Sequence, residues 1–79
     1  MKRTYVDVTA KFDSSGNVTP LEIQWVDGRK FEVDRVLDVR PAASLKVGGQ
    51  GIRYTCRILG HETYLFFEDN TRWFVEAKG

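Results

Sequence analysis

Gly48-Gly49-Gln50-Gly51-Ile52-Arg53-Tyr54-Thr55-Cys56-Arg57-Ile58 is a glycine-rich loop that runs straight into an alternating pattern. Ile52, Tyr54, Cys56 and Ile58 fall on one side, and Arg53, Thr55 and Arg57 on the other. Successive side chains of an extended chain point to opposite faces of the pleat, so this stretch reads as a half-buried β-strand. Its apolar side supplies the centre of a core. Its other side carries arginines into solvent.

The same reading extends in both directions. Downstream, Gly60-His61 marks a tight connection. Residues 63–68 then alternate Leu65 and Phe67 with Tyr64 and Phe66, apolar on both faces. A strand of that kind is covered on both sides or belongs to an interface. Asp69-Asn70-Thr71 turns the chain, and Trp73, Val75 and Ala77 align on a last strand over 72–77. Upstream, Val6, Val8, Ala10 and Phe12 share a face over 4–12, and Asp13-Ser14-Ser15-Gly16-Asn17 is a loop. Leu21, Ile23 and Trp25 alternate on a second strand. Asp27-Gly28 predicts a hairpin, with a type I′ turn as the motif's usual form. Phe31 and Val33 continue the inward set until Arg35 interrupts it. A β-bulge near Asp34-Arg35 would turn Val36 inward. Pro41 ends that run, and residues 42–47 are too short to hold a helix alone and read as an ordered loop.

Short strands with glycine-bearing turns predict an all-β fold, an antiparallel barrel or strongly curled sheet of about six strands. An SH3-like barrel is the first choice, an OB-like or sandwich variant the second. With 79 residues the chain is read as one domain, residues 1–79. The formal net charge of +1 supplies no global field for nucleic acid or a membrane. The slight positive bias lies in residues 40–79, which hold six basic and four acidic side chains. Cys56 is the only cysteine. It cannot form an internal disulfide, and a reducing, cytoplasmic setting is expected. There is no apolar run of membrane-spanning length and no apolar segment behind Met1-Lys2-Arg3, so neither a membrane anchor nor a signal peptide is expected.

The catalytic inventory is thin. His61 stands alone in a turn beside Glu62, without the partner that acid–base work needs. Cys56 lies on the apolar side of its strand, where a free thiol is normally inert. The two cannot close a zinc site by themselves. The Asp13–Asn17 loop lacks the later ligands of a calcium site. The Gly48–Gly51 loop lacks the Gly-Lys-Ser/Thr ending of a phosphate loop and precedes a strand, not a helix. No enzyme, cofactor or metal is therefore expected.

The constellation that carries a binding reading is Arg53, Arg57 and Arg72 with Tyr64 and Phe74, flanked by Gly49 and Gln50 of the loop. If strands 52–59, 63–68 and 72–77 are neighbours, these side chains form one basic, aromatic face. Arginine reaches phosphates bidentately and rings stack on bases, so a nucleic-acid-binding barrel is the alternative. The low net charge favours the other reading, a protein-interaction or self-association module in which the same residues cover the sheet or a dimer contact.

Trp25-Val26-Asp27-Gly28-Arg29, Asp34-Arg35-Val36-Leu37-Asp38, Arg53-Tyr54 and Arg72-Trp73-Phe74-Val75-Glu76 together resemble a pattern in small uncharacterised bacterial proteins, of the domain-of-unknown-function kind. The resemblance implies a bacterial, cytoplasmic protein and carries no catalytic residues with it.

Overall fold

The computed structural model describes residues 2–42, 51–68 and 72–77. It is all-β, with β1 (Lys2–Phe12), β2 (Val18–Gln24), β3 (Lys30–Glu32), β4 (Arg35–Ala42), β5 (Gly51–Ile58), β6 (His61–Glu68) and β7 (Arg72–Ala77). The glycine-loop residues Gly48, Gly49 and Gln50, the segment 43–47 and the turn 69–71 lie outside the described residues.

All pairings are antiparallel, in the order β3-β2-β1-β7-β6-β5-β4. The two ends of this order, β3 and β4, are joined by only Val33 and Asp34. A flat seven-stranded sheet would separate its outer strands by about 29 Å, at about 4.8 Å per strand. Three chain steps reach only about 10 Å. The sheet therefore curls strongly into a half-barrel, and the backbone shows where its ends approach. The Val33 amide donates to the Leu21 carbonyl at 2.9 Å, and the next amide, Asp34, donates to the Arg57 carbonyl at 2.9 Å. Strand β1 changes partner in the same way. It pairs with β7 through Val6 and with β2 from Asp7 onward.

Alternation sorts the side chains by this curvature. Val6, Ile23, Tyr54, Cys56, Leu65, Phe67, Trp73 and Val75 pack into one buried cluster on the concave side. Phe67 stacks on Trp73 with centroids 4.2 Å apart, and Tyr54 meets Trp73 at 5.5 Å. The Tyr54 hydroxyl donates to the Val18 carbonyl at 2.8 Å. That bond crosses the hollow from β5 to β2, which three strands separate in the sheet.

The run expected as one long strand after Asp27-Gly28 is two, β3 and β4, because the chain must leave one end of the sheet and join the other. Val36 points inward opposite Cys56, but the register shift falls between Val36 and Asp38 and not near Asp34-Arg35 as expected. At Asp27-Gly28 only the glycine has positive φ, +93°. The Gly28 amide donates to the Trp25 carbonyl at 2.9 Å, and Trp25 donates to Arg29 at 2.7 Å. The connection is thus a turn closed by a glycine bulge, not a type I′ pair. The Asp27 carboxylate accepts from the Arg29 amide at 3.0 Å, a bond that holds its carboxyl below the usual range. Gly16, at φ +89°, ends the Asp13 loop the same way.

The β5–β6 turn is Leu59-Gly60, one residue earlier than Gly60-His61, with φ +53° and +79°. This is the two-residue turn that favours Asn-Gly, and it holds an exposed leucine in a left-handed conformation that costs about 1–2 kcal/mol. Leu59→Asn is expected to raise stability by about 1 kcal/mol, seen as a higher denaturation midpoint at unchanged slope. An unchanged or lowered midpoint would refute the strain. Tyr54→Phe deletes only the cross-hollow hydrogen bond, and equilibrium unfolding should show a loss of about 1 kcal/mol or somewhat more.

Candidate binding face

The convex side is built by the other half of the alternation. Strands β5, β6 and β7 are adjacent, with β1 next to β7 and β4 next to β5. One row of directly opposed residues crosses all five strands: Arg40 faces Arg53, Arg53 faces Phe66, Phe66 faces Phe74, and Phe74 faces Tyr5. Arg57, Tyr64 and Arg72 stand on the same side, by the two-residue period of their strands. The structure thus brings Arg53, Arg57, Arg72, Tyr64 and Phe74 onto one face. Gly49 and Gln50 lie outside the described residues.

Within this face the side chains interlock. Phe66 and Phe74 stack with centroids 4.9 Å apart and planes within 5°. Tyr5 tilts against Phe74 at 5.4 Å, and the Arg3 guanidinium lies 5.0 Å over its ring. Arg72 lies 4.5 Å over Tyr5, and Arg53 lies 4.6 Å over Tyr64. The Tyr5 hydroxyl donates to Glu68 Oε1 at 2.9 Å, and Arg72 Nη2 reaches the same oxygen at 3.5 Å. The Arg53 Nε is buried without a hydrogen-bond partner.

Phe74 is not available for stacking on a base. It is 0% exposed, buried under Arg3, Tyr5 and Phe66. The rings that reach solvent are Tyr64, 51% exposed, and Tyr5, 39% exposed. Nothing in the sequence shows that β1 pairs with β7, so alternation alone does not bring Tyr5 and Arg3 to this face. An open crevice of about 430 Å³ adjoins Tyr5 and is lined by Tyr5, Val6, Asp7, Val8, Arg72 and Trp73. It lies where β1 leaves β7 for β2.

The charge pattern is mixed. Arg40 opposes Arg53 and Arg35 opposes Arg57 across β4 and β5, two like-charged pairs that weaken a sheet. Carboxylates are interleaved. Asp38 pairs with Arg40 at 2.6 Å, Glu62 stands opposite Arg57, and Arg3 stands opposite Glu76. Among the described residues no group of three His, Cys, Asp or Glu side chains is placed to hold a metal ion, and no helix is long and apolar enough to cross a membrane. His61 is the exposed first residue of β6.

Comparison with protein-family models, with characterised proteins and with solved structures found no match.

Cys56 is fully buried, and that burial pushes its thiol from 9.0 up to about 11. Burial raises the Tyr54 phenol in the same direction. Both groups bind their protons more tightly when folded. For Cys56 the stability this confers is complete below about pH 9 and is lost as pH rises through about 11; the raised Tyr54 phenol adds to the loss in the same direction. Cys56 is expected to resist a thiol reagent at pH 8 in the native protein and to react at once in denaturant. Equal rates in both states would contradict its burial. Phe74→Ala should cost about 3–5 kcal/mol in equilibrium unfolding, against less than about 1 kcal/mol for Tyr64→Ala. Similar losses would mean that the two rings are not differently buried.

Proposed function

We propose that this protein is a binding module without catalytic activity of its own, and that its convex face is where it meets another protein. The observation that carries this reading is the pair of arginine-on-tyrosine stacks, Arg53 on Tyr64 and Arg72 on Tyr5, which flank the stacked Phe66–Phe74 pair. Half-exposed tyrosines with pre-positioned arginines are the residue types that dominate protein-interface energetics. Stacking also removes much of the ordering cost that a free arginine side chain would incur on binding. The crevice beside Tyr5 and Arg72 offers a recess for one partner side chain. The opposed pairs Arg40–Arg53 and Arg35–Arg57 gain nothing from each other, which fits a partner that brings carboxylates.

A nucleic-acid role has less support. Asp38, Glu62, Glu68 and Glu76 share this side with the arginines, and strong phosphate binding needs cations in clear excess. A reading without catalysis draws support from a buried thiol raised to about 11 and a lone exposed histidine. The single cysteine fits a reducing, cytoplasmic compartment.

The test is affinity capture from cell extract with the wild-type chain and a Tyr64→Ala, Arg72→Ala double variant side by side. The expected result is a nuclease-resistant protein held by the wild type, released by moderate salt and absent from the equally folded variant. Retention that vanishes on nuclease treatment, or that is equal for both chains, would overturn the proposal.

A further inference from the structure

Strand β4 ends the sheet order, so one of its two edges has no strand beside it among the described residues. The opposite end, β3, is only three residues long, whereas β4 has eight. Val39 faces Tyr54 on the concave side yet is 52% exposed, and Leu37 is 39% exposed. Unpaired edges are templates for another strand, and proteins usually blunt them. The residues along this edge, Leu37-Asp38-Val39-Arg40-Pro41, indicate what the strand can accept.

We propose that two copies of this chain pair antiparallel along β4, in the register that sets Val39 opposite Val39. In that register Asp38 of each copy stands directly opposite the partner's Arg40, twice, by the twofold symmetry of a self-paired strand. Both residues lie on the convex side, since Asp38 faces Thr55 and Arg40 faces Arg53. Val39 meets its own copy on the concave side. The second copy also relieves a defect within each chain. Arg40 has Arg53 directly against it across β5, and pairing brings the partner's Asp38 to its other flank. The existing Arg40–Asp38 contact at 2.6 Å becomes part of a four-charge array. The acid–apolar–base order is complemented by a reversed copy of itself, so the strand carries its own matching partner.

Pro41 and the register shift between Val36 and Asp38 limit the ladder. Pro41 would stand opposite the partner's Leu37 with a carbonyl to offer and no amide. Pairing is thus confined to residues 37–41, which makes the dimer weak and reversible. This association uses an edge; it shares Arg40 with the convex face but does not involve Tyr5, Tyr64 or Arg72.

Sedimentation across a concentration series tests it. The wild-type chain should show a reversible monomer–dimer equilibrium. Asp38→Arg or Arg40→Asp alone should weaken it about tenfold or more, because each replaces two attractive pairs by two repulsive ones. An equimolar mixture of the two single variants should dimerise again, and so should the Asp38→Arg, Arg40→Asp double variant. Circular dichroism and thermal melts confirm that each variant is folded. Should either charge reversal unfold the chain, Val39→Lys should weaken the dimer instead, by placing two ammonium groups face to face. The Tyr64→Ala, Arg72→Ala variant should dimerise as the wild type does. A wild-type chain that stays monomeric to about 1 mM, a scale at which weak associations of about −4 kcal/mol are visible, would overturn the proposal. A dimer indifferent to the charge reversals, or one abolished by the convex-face variant, would overturn it equally.

Discussion

Two adjacent amides, Val33 and Asp34, are hydrogen-bonded to β2 and β5, the strands next to the two ends of one seven-stranded sheet. The rest of the structure depends on that constraint. A connection so short cannot span a flat sheet, so the strands curl until their ends approach. Curling creates a concave side narrow enough for Tyr54 to reach Val18 although three strands lie between them in the sheet. It also creates a convex side that no second layer covers among the described residues. A small chain hides a limited share of its surface, and here the concave cluster of Phe67, Trp73, Tyr54 and Leu65 takes most of the apolar burial.

The convex side resolves its lack of cover locally. Phe74 is buried there because Arg3, Tyr5 and Phe66 close over it. Arginine and tyrosine suit this task. Each lays an apolar or planar body along the surface while a polar tip remains in water. The same cover is what a partner would meet, so stability and recognition draw on the same side chains. Phe74 belongs to the first task, and Tyr5, Tyr64, Arg53 and Arg72 are placed for both.

Much of this is legible in the sequence, because alternation with period two is a direct consequence of strand geometry. The inward set Ile52, Tyr54, Cys56, Leu65, Phe67, Trp73 and Val75 follows from it, and so does the grouping of Arg53, Arg57 and Tyr64. What alternation does not contain is strand order. The β1–β7 pairing joins residues some seventy positions apart, and Arg3 and Tyr5 enter the convex face only through it. Burial on the outer side was equally hidden. Phe74 and Tyr64 have the same parity and similar chemistry, yet one lies mid-row between two rings and the other lies outside that row. The turns show a third limit. Asp27-Gly28 is a strong hairpin signal, but two backbone solutions satisfy it, and the one adopted needs positive φ only at the glycine.

The central claim is that one sheet separates two aromatic clusters, Tyr54–Phe67–Trp73 inside and Tyr5–Phe66–Phe74 outside. Proton–proton Overhauser contacts among assigned aromatic rings measure this most directly. The account predicts cross-peaks from Phe74 to Tyr5 and Phe66, and from Trp73 to Phe67 and Tyr54, with none between the Phe74 and Phe67 rings. Strong contacts from the Phe74 ring into the Trp73–Phe67 cluster would contradict it.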